Sequence, residues 1–122
     1  MRTVSAACAE LVAALKAAGF DRVSVDPDEL VTDPGCVWVQ PREIRDYTLA
    51  GGGTLLVWVY LIVADVETDQ AMTLLDDTLE GVLALVDVAD SDDVIDLSSA
   101  VILPSNPTTP LPAYRLAVDL DL

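Results

Sequence analysis

The apolar positions of this chain follow two periods, and one stretch follows neither. Over residues 3–18, Val4, Cys8, Leu11 and Leu15 return at four, three and four residues. Val12 widens that stripe, and the spacing predicts an amphipathic helix. Alanines fill much of the remainder and favour helix intrinsically. Gly19 stands where a left-handed cap is expected, with Phe20 placed to fold back on the last turn. Residues 68–86 repeat the helical period: Ala71, Leu75, Leu79, Val82 and Val86 form the inner stripe, and Thr73, Asp76, Glu80 and Asp87 the wet side. Thr68 or Asp65 caps its start, and Glu67 and Asp69 suit the helix dipole. Gly81 in mid-helix costs about 1 kcal/mol against Ala, which predicts close packing on another backbone.

The second period is two. Arg22, Val23, Ser24, Val25 and Asp26 alternate as a short strand stopped by Pro27. Residues 113–122 alternate strictly, with Tyr114, Leu116, Val118, Leu120 and Leu122 inward and Arg115, Asp119 and Asp121 outward. Residues 36–40 make another short strand that Pro41 either ends or places at an edge. Residues 42–49 continue it as an exposed strand, and Gly51, Gly52 and Gly53 form a flexible hairpin turn. Residues 100–103 read as a strand. Asp26-Pro27-Asp28 and Asp33-Pro34-Gly35 are turn chemistry with loop between them. Residues 87–93 read as an acidic connector, and the prolines of 104–112 as an extended loop.

Residues 54–64 follow neither period. Leu55, Val57, Val59, Leu61 and Val63 lie on one strand face, and Leu56, Trp58, Tyr60 and Ile62 on the other. A strand over a single core should alternate apolar with polar. Two helices suffice for one sheet face, so the second face calls for cover from another subunit. The expected architecture is α+β: a small mixed or antiparallel sheet with two helices packed on one face, in one domain over 1–122, acting as a subunit of an assembly.

Composition narrows the chemistry. Of 122 residues, six are Lys or Arg and 21 Asp or Glu, a formal charge of −15, while 52% are hydrophobic. That apolar content excludes a disordered chain, and the charge repels nucleic acid and anionic membrane. No apolar run reaches the roughly 18 residues of a membrane-spanning helix, and no secretion leader is expected. There is no histidine, so the commonest general base and metal ligand is missing.

The remaining constellations carry little chemistry. Residues 87–93 lack the glycine and glutamate of a calcium loop. Asp76 and Asp77 point in different directions on a helix, and Asp65 and Glu67 are accounted for by the helix dipole. Ser98 and Ser99 have no histidine to activate them. Cys8 falls on a buried stripe and Cys36 has no visible base. The glycine triplet precedes a strand and lacks a lysine, so it is no phosphate cradle. No catalytic residue, cofactor or metal is expected. Scarce positive charge is then the informative feature. Arg42, Arg45 and Tyr47 beside Gly51, Gly52 and Gly53 suit a protein contact, weighed against simple balancing of local acid. Arg115 is expected to pair with Asp119 or with a neighbouring strand.

In its order of elements the chain resembles the tail terminator proteins of long-tailed bacteriophages, of the lambda minor tail protein U type. The Ala/Leu-rich first helix ends at Gly19-Phe20. The Val37-Trp38-Val39 strand, a polar hairpin into 54–64, a second helix with an acidic face and a terminal strand 114–122 follow. The likeness spans nearly the whole chain but lies in texture, without a diagnostic motif. The chain departs from it in low basic content and in the proline-rich segment. What it implies is a structural virion protein of the tail neck, assembled in the host cytoplasm. There a homohexameric ring caps the head-proximal end of the tail tube, ends tube polymerisation and presents a surface to the head-completion or stopper protein. Genomic DNA would pass its lumen without specific binding, and no membrane is involved. The contact residues expected on this reading are Arg42, Arg45, Tyr47, Gly51, Gly52, Gly53, Trp58, Pro107, Pro110 and Arg115. Competing readings are another neck or head-closure connector, an acidic DNA mimic that occupies a nucleic-acid-binding protein, and a non-enzymatic accessory subunit.

Overall fold

The computed structural model describes residues 3–20, 22–30, 35–46, 52–63, 68–85, 96–104 and 106–122. The first helical stripe becomes helix α1, Val4–Ala17. Thr3 caps it, its Oγ1 accepting from the Ala6 N–H at 3.1 Å. At the other end Gly19 takes φ +107°. The Gly19 N–H donates to the Lys16 carbonyl and the Phe20 N–H to the Leu15 carbonyl, each at 3.1 Å. These two bonds close a Schellman motif, and only glycine adopts its left-handed turn without steric cost.

Five strands follow in one mixed sheet: β1 (Val23–Ser24), β2 (Gly35–Arg45), β3 (Thr54–Val63), β4 (Asp96–Leu103) and β5 (Asn106–Asp121). Their order across the sheet is β1-β2-β3-β5-β4. β1 runs parallel to β2, and every other pair is antiparallel. Helix α2 (Thr68–Leu83) lies between β3 and β4 in sequence. The chain is thus a small α+β domain with a mixed sheet and two helices.

Both helices pack on the face that carries Leu55, Val57, Val59, Leu61 and Val63. Leu11 and Leu15 of α1 and Leu75 and Val82 of α2 join these side chains, with Tyr114, Leu116 and Val118 of β5, in the principal core. Burying each such aliphatic side chain is worth about 1.5–3 kcal/mol, which is why this stripe was legible as core. Leu79, Phe20, Leu120 and Leu122 pack at its margin. Asp65 and Val86 lie outside the described residues, as do the side chains of Ala71 and Thr68; Thr68 is the first residue of α2. Thr73, Asp76 and Glu80 are exposed as expected. Gly81 does meet a close neighbour, but that neighbour is the ring of Phe20 and not a backbone.

The second sheet face is covered within one copy at one end and partly open at the other. Leu30, Val101, Leu103 and Leu111 pack with Cys36, Ile62 and Ala113 in a separate buried cluster. Leu56 and Ala117 are buried too, whereas Trp58, Tyr60 and Trp38 are only partly so. The segment expected as a loop after Pro27 supplies Leu30: residues 27–29 form a 3-10 turn capped by Asp26, whose Oδ1 accepts from the Asp28 N–H at 2.9 Å.

Topology decides two proline-based expectations: of the alternatives at Pro41 the edge position holds, and the extended loop at 104–112 is corrected. Pro41 does not end β2; it pairs with Val57. The Val37 N–H donates to the Arg22 carbonyl on the outer side of β2 at 2.8 Å. By the period of two, the Pro41 nitrogen points the same way, beyond the end of β1, where no ladder bond is lost. Likewise the prolines of 104–112 do not form an extended loop. Leu103 pairs with Asn106 across a tight turn, and Pro107, Pro110 and Pro112 lie inside β5. Pairing of β5 with β3 begins only at Ala113, so among the described residues this stretch has β4 on one side alone and tolerates missing N–H groups. The acidic connector 87–93 falls outside the described residues.

Candidate functional site

The register of β2, β3 and β5 builds a row of aromatics on the second sheet face. Trp38 stands opposite Tyr60, and Tyr60 opposite Arg115; on the next rung Gln40, Trp58 and Ala117 are aligned. Trp38 and Tyr60 stack with centroids 5.2 Å apart and planes 23° apart. Trp58 meets Tyr60 edge-on at 6.3 Å and 82°. Offset-stacked and T-shaped pairs of this kind suit the ring quadrupoles. The Trp38 indole N–H donates to the Val25 carbonyl at 3.2 Å, fixing that end of the row.

Two guanidiniums lie over the Trp58 ring, Arg42 from β2 at 4.1 Å and Arg115 from β5 at 4.3 Å. Arg42 gets there through a backbone irregularity. Pro41 pairs with Val57 and Glu43 with Leu56, so Arg42 is the extra residue of a β-bulge, and bulges re-aim side chains. Each cation–π contact is worth about 0.5–1 kcal/mol at an exposed site. Arg115 also comes within 3.9 Å of Asp96, its partner across β4, which answers the choice between Asp119 and a neighbouring strand. Arg42 makes no ion pair among the described residues. Arg45 is different: its Nε and Nη2 both donate to Glu43 Oε1 at 2.8 Å. Arg45 therefore balances local acid, whereas Arg42 has no ion-pair partner among the described residues.

Two polar atoms in the same region are buried without a partner, Trp58 Nε1 and Asp119 Oδ1. Asp119 lies opposite Leu56, one rung from Trp58. Orphaned buried donors and acceptors cost about 1–3 kcal/mol each, so this part of the sheet carries polar groups that no described residue satisfies.

Of the expected contact residues, the structure brings Arg42, Trp58 and Arg115 together. Arg45, three residues further along β2 than Arg42, is held by Glu43 instead. Gly52 is buried at φ +85°, and a Cβ there would stand 2.9 Å from the Leu122 carbonyl oxygen, while Gly53 accepts the Leu122 N–H at 3.1 Å. These glycines hold the end of β5 and are not a free contact tip. Pro110 is exposed in β5, far along the strand from Trp58, and Pro107 belongs to the same strand. Tyr47 and Gly51 lie outside the described residues. Trp38, Tyr60, Asp96 and Asp119 were missed as members of the site; Asp96 precedes the strand expected at 100–103, where β4 in fact begins, and cross-strand register was needed to align the others.

Among the described residues no cluster of His, Cys, Asp and Glu could hold a metal ion. Burial raises the Cys8 thiol, and it pushes Cys36 up to about 11 against a small opposing pull from Arg22. Both thiols are free and buried, hence weak nucleophiles. No helix among the described residues is long and apolar enough to cross a membrane. Comparison of the chain with family models, with curated proteins and with solved structures finds no match.

Proposed function

We propose that this chain is a non-enzymatic structural subunit of a ring that caps the head-proximal end of a phage tail tube, ending polymerisation and offering a surface for head joining. The observation that carries the reading is the partly open aromatic row, Trp38–Tyr60–Trp58, topped by Arg42 and Arg115 on a sheet face that no helix covers. Aromatic and arginine side chains are the types enriched where proteins meet. The order of elements resembling tail terminators supplies the rest of the argument. Six copies at −15 each would carry about 90 formal negative charges, a field that keeps a lumen non-adhesive to passing DNA. A closed ring also lets one small chain use a heterologous contact without running on into fibres.

In this role the protein works sterically, with no cofactor and no bond made or broken. The partners would be other copies, the tail tube protein and the head-completion protein, and the place the neck of the virion. Electron microscopy of the purified protein with and without tail tubes tests it. Six-fold rings at one tube end are the expected result. A monomer that ignores tubes overturns the reading, and if that monomer also competes with DNA for a basic protein, the acidic-mimic reading replaces it.

A further inference from the structure

We infer that the Arg42–Trp58–Arg115 surface docks the acidic outer face of helix α2 from a second copy, head to tail. This deepens the ring reading by naming the two surfaces that meet, and it rests on that reading for copy number alone.

The argument begins from charge. Only six basic residues serve the whole chain, and two of them converge on Trp58. The Arg42 fork is spread over the indole, exposed, with no carboxylate partner among the described residues. A guanidinium so placed presents donors that match a carboxylate bidentately, and stacking on the ring preorganises it.

The complementary surface is on the opposite side of the molecule. Helix α2 (residues 68–83) contains no Lys or Arg. With Leu75 and Val82 turned into the core, Asp77 and Glu80 project outward and are exposed. Neither makes an ion pair among the described residues. Asp76 beside them already accepts the Tyr114 hydroxyl at 3.0 Å, so among the described side chains of α2 Asp77 and Glu80 are the carboxylates without an ion-pair partner. Met72 and Leu83 flank them, 52% and 38% exposed. Carboxylates bordered by apolar side chains fit guanidiniums bordered by aromatic ones. The contact joins two different faces, so it is heterologous and propagates around a ring.

Two charge-reversed proteins test it. One carries Arg42→Glu with Arg115→Glu, the other Asp77→Lys with Glu80→Lys; sedimentation velocity reads the assembly state over a concentration series. Wild type should self-associate, and each reversed protein alone should do so about ten-fold or more weakly. Mixed in equal amounts they should assemble again, because each supplies the face that the other's reversed face now fits. Circular dichroism and cooperative thermal unfolding confirm folding, and Arg42→Gln with Arg115→Gln is the gentler pair should the reversal unfold the sheet. The inference is overturned if wild type stays monomeric, if either reversed protein associates like wild type, or if the mixture stays monomeric. Should wild-type rings cap tubes while the mixture fails to assemble, the contact is wrong and the tail reading stands. Should the mixture assemble while wild type ignores tubes, the contact stands and the tail reading falls.

Discussion

Gly81 of α2 lies directly against the ring of Phe20: a Cβ at position 81 would stand 2.9 Å from the ring's Cζ. The two helices are keyed together at this point, with the C-terminal cap of α1 holding Phe20 in place. Gly81→Ala should therefore forfeit the roughly 1 kcal/mol that alanine brings to a helix interior and instead destabilise by about 1–2 kcal/mol through overpacking. In a Phe20→Leu background the same alanine should become neutral or stabilising. Chemical denaturation of the four proteins of this cycle reads the coupling; additive effects would show that the contact is not the reason for the glycine.

Gly52 predicts a larger loss, because both its conformation and its space exclude a side chain. Its φ of +85° and the Leu122 carbonyl 2.9 Å from a would-be Cβ leave a backbone atom, which cannot swing aside. Gly52→Ala should cost about 2–4 kcal/mol by thermal unfolding, and Gly19→Ala, with open space around it, only the φ penalty of about 1 kcal/mol. Equal costs at the two sites would contradict the close approach.

Tyr114 links the sheet to α2 by donating its hydroxyl to Asp76 at 3.0 Å. Burial, then that hydrogen bond and the carboxylate's charge, raise the phenol above its ordinary value. The protonated phenol is thus favoured in the folded state. Its contribution is complete below the unfolded value near 10 and is lost as pH rises through the higher folded one. Tyr114→Phe should cost about 1 kcal/mol at neutral pH and show a shallower loss of stability above pH 10. Denaturation midpoints across the alkaline range check both.

Thiol chemistry offers a fold-wide check. Cys36, pushed up to about 11, holds roughly one thiolate in a thousand at pH 8, and both cysteines are buried. Alkylation of the native protein should be negligible over the time in which the urea-unfolded chain labels at two sites. Rapid native labelling at Cys36 would mean that the cluster around Ile62 and Leu103 opens readily.

The stacked guanidiniums carry an optical prediction. Arg42→Ala removes a cation held 4.1 Å from Trp58; stability should fall by about 0.5–1 kcal/mol, with a shift in tryptophan emission that Arg45→Ala does not reproduce. Equal emission changes from the two substitutions would separate Arg42 from the ring.

Where sequence reading succeeded, the physics was local. The stripe through Cys8, Leu11 and Leu15, the cap at Gly19, the alternation of β5 and the two apolar faces of β3 depend on periods of 3.6 and 2 and on one left-handed turn. It failed where an answer depended on strands not yet assigned neighbours. Proline marked residues 104–112 as a loop and left 41 open between a strand end and an edge, because a missing N–H costs nothing only on a strand side that has no partner. Leu30, read as part of a loop, became a buried member of the second core. The expected contact residues were chosen one by one as rare cations, aromatics and glycines; Arg42, Trp58 and Arg115 proved to be one cluster, Arg45 a local ion pair and Gly52 a buried hinge for Leu122.

By itself, then, the order of residues determined two helices with one greasy side each, a central strand with two, and a surface of −15, because hydrophobic periodicity and charge count are properties of the chain alone. Only the tertiary structure decided how the second face of that strand is used. Register sets which side chains share a rung, and a single-residue bulge at Arg42 turns one of the few cations onto Trp58. Such through-space neighbours are fixed by strand pairing across long sequence separations, and no local pattern encodes them.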